Sequence, residues 1–129
     1  MKTFLLDTSF LIDYENEVVA GVPGPATRTL GKIAGPSRLY ISPVTVAELL
    51  EGAEDAVETE RALAEYHATN IGWQAAKRCA LNQSRAAHRM GENDAWQAAL
   101  AVSGGHALVG HDKAFEKRPW LDYQDHMKP

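Results

Sequence analysis

Two short apolar runs that lead into aspartates limit the folds open to this chain more than any other feature. Thr3–Leu6 runs directly into Asp7, and residues 107–109 are closely followed by Asp112. A third run of this kind, Leu39–Ile41, lies between them. Short continuous apolar runs are typical of strands covered on both faces, which occur in parallel sheets. Helical segments separate the runs, so the sequence predicts an α/β fold with a short parallel sheet flanked by helices on both faces.

Start and stop signals for helices divide the rest of the sequence. Serine followed by proline at 42–43 begins one helix, and Gly91 ends another. The predicted helices cover residues 10–16, 26–34, 44–51, 72–90 and about 93–102, with a further helix within 51–66, and a last short strand covers 121–123. The length of 129 residues suits one domain over 1–129.

The bulk properties of the chain exclude several classes of protein. No segment approaches the ~20 apolar residues of a membrane-spanning helix. The first apolar run ends at Asp7 and is too short for the ~7–15-residue core of a secretory signal, so we expect a cytoplasmic protein. The single cysteine, Cys79, cannot form an internal disulfide and fits a reducing compartment. A net charge of −4 argues against a general polyanion-binding protein, but not against a nuclease whose carboxylates hold a metal ion.

Four carboxylates occupy positions from which they can meet in one site. Asp7 and Asp112 follow strands, and sites in open α/β sheets form at the carboxyl ends of strands. Asp94 lies in the first turn of a predicted helix, and Glu48 lies in an apolar helix where a lone carboxylate needs a partner. Converging carboxylates repel one another unless a cation joins them, and oxygen ligands select Mg²⁺ or Mn²⁺. Because such an ion can activate water against a phosphodiester, the sequence predicts phosphodiester hydrolysis.

Several other charged residues leave two interpretations open. One arc of about 120° on the predicted helix 72–90 is either an ordinary solvated face or a contact for RNA phosphates or an acidic partner. Its members are Lys77, Arg78, Arg85, His88 and Arg89. Lys113 lines either a substrate entrance or a solvated loop, and His111 is either a proton donor or peripheral. We expect Asp13 to be a solvated helix residue. The remaining histidines are predicted to lie on the surface, namely His67, His88, His106 and His126.

Four segments of the chain, in order, resemble the successive motifs of PIN domains, and of VapC-type toxins in particular. They are residues 4–9 (FLLDTS), 44–49 (VTVAEL), 93–99 (NDAWQAA) and 108–115 (LVGHDKAF). Each motif is common by itself, but the order and the structural context of all four are fairly specific. The resemblance covers almost the whole chain and implies an endoribonuclease that needs Mg²⁺ or Mn²⁺.

The resemblance also implies roles for individual residues and for partners. It implies an acidic, metal-binding set of Asp7, Glu48, Asp94 and Asp112, with Asp7 and Asp94 first among the direct ligands. Thr8 and Ser9 would support the Asp7 loop, and Asn93 would order the approach to Asp94. It further implies a homodimer that a cognate antitoxin neutralises and that acts on RNA.

One departure from the family pattern leaves alternatives to the toxin hypothesis. The family often has Thr or Ser where this chain has Gly110, so a hydroxyl that would orient Asp112 is missing. Either His111 or a water replaces it, or Asp112 is a weaker ligand. The alternatives are a PIN-type RNA-processing nuclease without an antitoxin, and a catalytically weak PIN module that binds proteins. A dehalogenase-type phosphatase would need a second aspartate two residues after Asp7, where this chain has Ser9.

Overall fold

The computed structural model describes residues 1–35 and 38–128. The strands of this part of the chain are β1 (Thr3–Leu6), β2 (Leu39–Ile41), β3 (His67–Ala68), β4 (His106–Gly110) and β5 (Tyr123–Asp125). Its α-helices are α1 (Thr8–Ala20), α2 (Pro25–Ile33), α3 (Pro43–Glu51), α4 (Ala56–Leu63), α5 (Trp73–Arg85) and α6 (Glu92–Gly104). A 3-10 helix, Lys113–Phe115, follows β4.

The strands form one parallel sheet in the order β3-β2-β1-β4-β5. β1 and β4 are neighbours at its centre, and Leu6 lies opposite Val109. The pairing continues one residue further, because the Asp7 N–H donates to the Val109 carbonyl at 2.9 Å. The loops that carry Asp7 and Asp112 therefore begin side by side at the carboxyl ends of β1 and β4. The parallel sheet with its intervening helices confirms the predicted α/β architecture.

Alternate residues of β1 face two separate cores, which is why both faces of the sheet are apolar. Phe4 and Leu6 pack in a core that includes Phe10 of α1 and Ile33 of α2. Leu5 packs on the other face in a core built mainly from α5, α6 and the 3-10 helix. The helices thus cover both faces, as the sequence predicts.

α1 begins after Asp7, and hydrogen bonds of Glu17 connect its last turns to the start of α2. Asp7 is its N-cap, and Gly21 ends it in a left-handed conformation (φ 69°). The Glu17 carboxylate then accepts hydrogen bonds from the backbone N–H groups of Gly24, Ala26 and Thr27 at the start of α2. Burial raises the pKa of Glu17, but hydrogen bonds from the Thr27 side chain and from these backbone groups outweigh it and hold the pKa at about 2.

Three details of the predicted secondary structure are wrong. α5 ends at Arg85, not at Met90, because the Gln83 side chain bonds both backbone groups of Met90 and turns the chain away from the helix. The last strand is Tyr123–Asp125, since its pairing with β4 sets its position. The two-residue β3 was not predicted, and both of its side chains are exposed, so it has no apolar pattern. Within the described residues, no helix is both long and apolar enough to cross a membrane.

Candidate active site

Asp7 is the most buried of the four predicted acids, with 5% of its surface exposed. Its Oδ2 accepts hydrogen bonds from the Ser9 hydroxyl at 2.7 Å and from the Ser9 N–H at 3.2 Å. Its Oδ1 accepts a hydrogen bond from Gln97 Nε2 at 3.0 Å. A buried carboxylate needs such partners, and these fix its orientation at the end of β1.

Gln97 connects Asp7 to the start of α3, and the sequence interpretation assigned it no role. The Gln97 side chain is fully buried and also donates to Thr45 Oγ1 at 2.8 Å, while its Oε1 accepts from the Ser42 hydroxyl. It lies three residues after Asp94 on α6, so both share one face of that helix. That spacing is the sequence signal that could have identified it.

Glu48 is held by the neighbour of Asp7 in sequence. Thr8 Oγ1 lies 2.7 Å from Glu48 Oε1 and 3.1 Å from Thr45 Oγ1. Ser9 therefore contacts Asp7, whereas the Thr8 side chain contacts Glu48. Asn93 is exposed in the first turn of α6.

The four carboxylates lie close enough to act on one another electrostatically. Burial first, and then the negative charges of Asp112, Asp7 and Glu48, raise the pKa of Asp94 to about 6. The structure therefore brings together all four acids that the sequence singled out, from β1, α3, α6 and the end of β4. We call this group the carboxylate cluster, and its donor set consists of oxygen atoms alone, which fits Mg²⁺ or Mn²⁺.

Asp112 is fixed by the chain that follows it. Its Oδ1 accepts from the Ala114 N–H at 2.9 Å, so it caps the 3-10 helix, and its backbone carbonyl accepts from the Tyr123 hydroxyl at 3.0 Å. Burial and then the charges of Asp125, Asp7 and Asp112 raise the pKa of Tyr123, which keeps this hydroxyl a donor.

Gly110 has no space for the hydroxyl-bearing residue that the family often has there. A Cβ atom at this position would lie 2.8 Å from Ser9 Oγ and 2.9 Å from Asp7 Cβ. The Ser9 hydroxyl occupies this space instead, since it donates to Asp7 and accepts from the His111 N–H at 3.0 Å. The Ser9 hydroxyl therefore orients Asp7 and the backbone of His111, whereas the Asp112 carboxylate is oriented by the Ala114 N–H.

The close approach at Gly110 makes a testable prediction. We expect Gly110→Ala to lower the free energy of unfolding by about 1–3 kcal/mol, because the added methyl group overpacks a buried strand end and displaces Ser9 or Asp7. Urea denaturation measures the effect. The matched control is Gly31→Ala, because a Cβ at Gly31 meets nothing within 4 Å and the helical position favours alanine. Equal stability of Gly110→Ala and the wild type would contradict the packing described here.

His111, Asp13 and His126 form a second polar group beside the carboxylate cluster. Asp13 Oδ2 lies 2.6 Å from His111 Nδ1 and 2.8 Å from His126 Nε2. The predictions that Asp13 is a solvated helix residue and that His126 lies on the surface are wrong, because Asp13 is paired and His126 is 4% exposed. Among the described residues, these three have ligand atoms within 4.8 Å of one another, a closer spacing than that of the carboxylate cluster.

The cationic residues singled out in the sequence are divided between helix and loop. Lys77, Arg78 and Arg85 lie on α5, but Arg89 lies beyond its end and does not belong to the helical arc. Lys113 is exposed at the start of the 3-10 helix, directly after Asp112. A role of these residues in binding stays a prediction.

Comparison with known proteins gives a family match and a set of similar structures. The family model described as PIN domain matches residues 4–121. A toxin–antitoxin complex from Klebsiella pneumoniae contains a chain 26% identical to this one, with a TM-score of 0.75 and coverage of 96% of this chain and 98% of that one. The DNA-bound VapBC from Salmonella typhimurium is likewise 26% identical, with a TM-score of 0.74 and coverage of 98% and 99%.

A third structure extends the likeness of the fold. VapBC-1 from nontypeable Haemophilus influenzae has a TM-score of 0.78 at 23% identity and coverage of 98% and 99%, which supports the fold alone. A search of the curated proteins finds no match to the sequence.

Proposed function

The chain belongs to the PIN-domain family, and from that membership and the carboxylate cluster we propose that it is a metal-dependent endoribonuclease. The observation that carries this proposal is the convergence of four carboxylates from distant parts of the chain, which is costly around the half-buried Asp94 unless they serve a cation. Catalytic and metal-binding roles are therefore proposed for Asp7, Glu48, Asp94 and Asp112.

These four carboxylates would hold Mg²⁺ or Mn²⁺, and the ion would supply Lewis acidity at the phosphodiester and activate a water. The chain's own residues supply orientation. Gln97 and Ser9 fix the two oxygens of Asp7, and Thr8 fixes Glu48. Preorganised ligands of this kind remove the cost of arranging the site during the reaction.

The similar structures favour a toxin as the biological role. Two of them, at 26% identity, are described as a toxin–antitoxin complex and as DNA-bound VapBC. We therefore propose a VapB-like antitoxin as partner, a homodimer as the assembly and the cytoplasm as the location. Lys77, Arg78, Arg85, Arg89 and Lys113 are proposed contacts for RNA or for the antitoxin, because cationic side chains pair with phosphates and with acidic side chains. A PIN-type nuclease of RNA processing, without an antitoxin, is the second candidate for the same chemistry.

Metal titration of RNA cleavage tests the proposal. The purified protein is expected to cut RNA with Mg²⁺ or Mn²⁺, to lose activity in a chelator, and to recover it when the metal is restored. Absence of cleavage with either metal, from protein whose fold is intact, would favour a PIN module that only binds proteins. Coexpression of the protein with the product of the neighbouring gene distinguishes the toxin from the RNA-processing nuclease. If the protein is a toxin, its expression arrests growth and the antitoxin relieves that arrest.

A further inference from the structure

Asp13, His111 and His126, here called the histidine cluster, bring three metal-binding side chains together from distant parts of the chain. Asp13 belongs to α1, His111 follows β4, and His126 follows β5. Their ligand atoms all lie within 4.8 Å of one another, and both imidazoles approach the same oxygen, Asp13 Oδ2. The tertiary fold assembles this group, which is one residue away from Asp112 but shares no member with the carboxylate cluster.

The surroundings of the histidine cluster hold its members in place. The His126 side chain has no exposed surface, and its ring packs edge-on against Phe10 with centroids 4.9 Å apart. The His126 N–H donates to the Gly110 carbonyl, and the His111 N–H donates to Ser9 Oγ. The two imidazole rings lie 5.4 Å apart, at 45° to each other. Ligands that are already fixed lose little conformational entropy when an ion binds.

His126 also carries a buried polar atom with no partner. Its Nδ1 is buried and makes no hydrogen bond to the described residues, while its Nε2 faces Asp13. An unpartnered polar atom in a native interior calls for an explanation, because it costs about 1–3 kcal/mol. A metal ion on Nε2 would not satisfy Nδ1, so the case for a ligand role depends on the other nitrogen: Nε2 is directed at Asp13, beside a second imidazole.

We propose that the histidine cluster binds a transition-metal ion such as Zn²⁺, at a site distinct from the carboxylate cluster. Two imidazole nitrogens and one carboxylate oxygen are a ligand set that such ions prefer, whereas Mg²⁺ prefers oxygen ligands. Tetrahedral bonds of about 2.0–2.1 Å place ligand atoms about 3.3 Å apart. The contacts of Asp13 Oδ2 with His111 (2.6 Å) and His126 (2.8 Å) therefore need to open by about 0.7 and 0.5 Å. The two imidazole nitrogens, which lie within 4.8 Å of each other, need to reach the same spacing, and a fourth position is left for water.

Binding at this site would join three segments of the chain. α1 would be connected through the ion to the segment after β4 and to the segment after β5, so the ion would stabilise the fold by mass action. This effect does not depend on the proposed ribonuclease activity, and it is measured by spectroscopy and thermal unfolding without any substrate.

Titration with Co²⁺ tests the site, because tetrahedral Co²⁺ absorbs visible light strongly and reports its own ligands. Two proteins are titrated, the wild type and the Asp94→Asn variant, in which the carboxylate cluster is weakened. Both are expected to give the same tetrahedral spectrum, which Zn²⁺ then abolishes by displacement. His111→Gln and Asp13→Asn, made in each background, are expected to weaken Co²⁺ binding at least about tenfold. His88→Gln, which changes an exposed histidine outside the cluster, is the matched control and is expected to bind Co²⁺ as its parent does.

Three outcomes would overturn the proposal. They are the absence of a tetrahedral spectrum, its loss in Asp94→Asn, and unchanged affinity in both His111→Gln and Asp13→Asn. Circular dichroism establishes that each variant is folded. Because His111→Gln and Asp13→Asn change different ligands, a structural defect in one variant does not decide the result. A negative result in this test does not bear on the proposed Mg²⁺-dependent cleavage of RNA, which is measured by a different experiment. The two proposals can therefore be refuted independently.

Discussion

Asp7→Asn is expected to lower the rate of metal-dependent RNA cleavage at least about 100-fold while the protein stays folded. The substitution removes one negative charge from the metal-binding set and preserves the shape of the side chain. Asparagine can still accept hydrogen bonds from Ser9 through its one oxygen, so the N-cap of α1 is largely kept. Its amide group then faces the Gln97 amide and cannot accept the hydrogen bond that Asp7 accepts there, so urea denaturation of the variant accompanies the rate measurement.

The comparison requires an aspartate of similar chemistry outside the site. Asp122→Asn serves, because the Asp122 side chain is 63% exposed and, among residues 1–35 and 38–128, forms an ion pair with Lys2 alone, at 3.4 Å. This variant is expected to cut RNA at the wild-type rate. Initial rates at saturating Mg²⁺ measure the effect, and growth arrest on expression gives the same comparison in cells. Activity of Asp7→Asn within a few-fold of Asp122→Asn would exclude Asp7 as a ligand.

Asp94→Asn is expected to stabilise the metal-free protein near neutral pH, although it should abolish activity. Neighbouring charges and burial raise the pKa of Asp94 from 3.8 to about 6 in the folded protein. The folded state therefore binds the proton more tightly, and the wild type loses stability as the pH rises through this interval. An asparagine carries no charge and escapes this loss, so the variant should gain about 1–3 kcal/mol above pH 6 and little below pH 4.

Urea denaturation at pH 4 and at pH 7.5, with chelator present, measures this difference. The Asp122→Asn control should show no comparable gain, since its carboxylate is exposed. Addition of Mg²⁺ is expected to raise the unfolding temperature of the wild type and to raise that of Asp94→Asn much less, because one ligand is lost. A variant no more stable than the wild type at pH 7.5 would mean that the four carboxylates do not repel one another as described.

The sequence predicts those features whose causes are local. The apolar run Thr3–Leu6 and the capping residue Asp7 determine where β1 ends and where α1 begins, and both lie within a few residues of one another. The same reasoning applies to α3, which begins with a serine cap and a proline at its first turn. The four acids of the carboxylate cluster could be chosen because each lies at an element end or in an apolar setting that is visible in the sequence.

The features that the sequence interpretation missed depend on contacts between distant residues. Gln83 ends α5 through Met90, and Gln97 joins Asp7 to α3, although glutamines are usually found on the surface. His126 is buried because β5 pairs with β4 and directs the following segment against Phe10. None of these partners can be identified from spacing along the chain, because the residues are brought together only when the sheet forms.

What the sequence by itself determined is the order of the helices and of every strand except β3, and the choice of four carboxylates, because short-range propensities and burial patterns are encoded in adjacent residues. The tertiary structure alone decided the network around Asp7, the lack of space at Gly110 and the assembly of the histidine cluster. The physical reason is that packing and hydrogen bonding act over a few ångströms in space, whereas the residues that take part are distant along the chain; Asp13 and His126, for example, are separated by 113 positions.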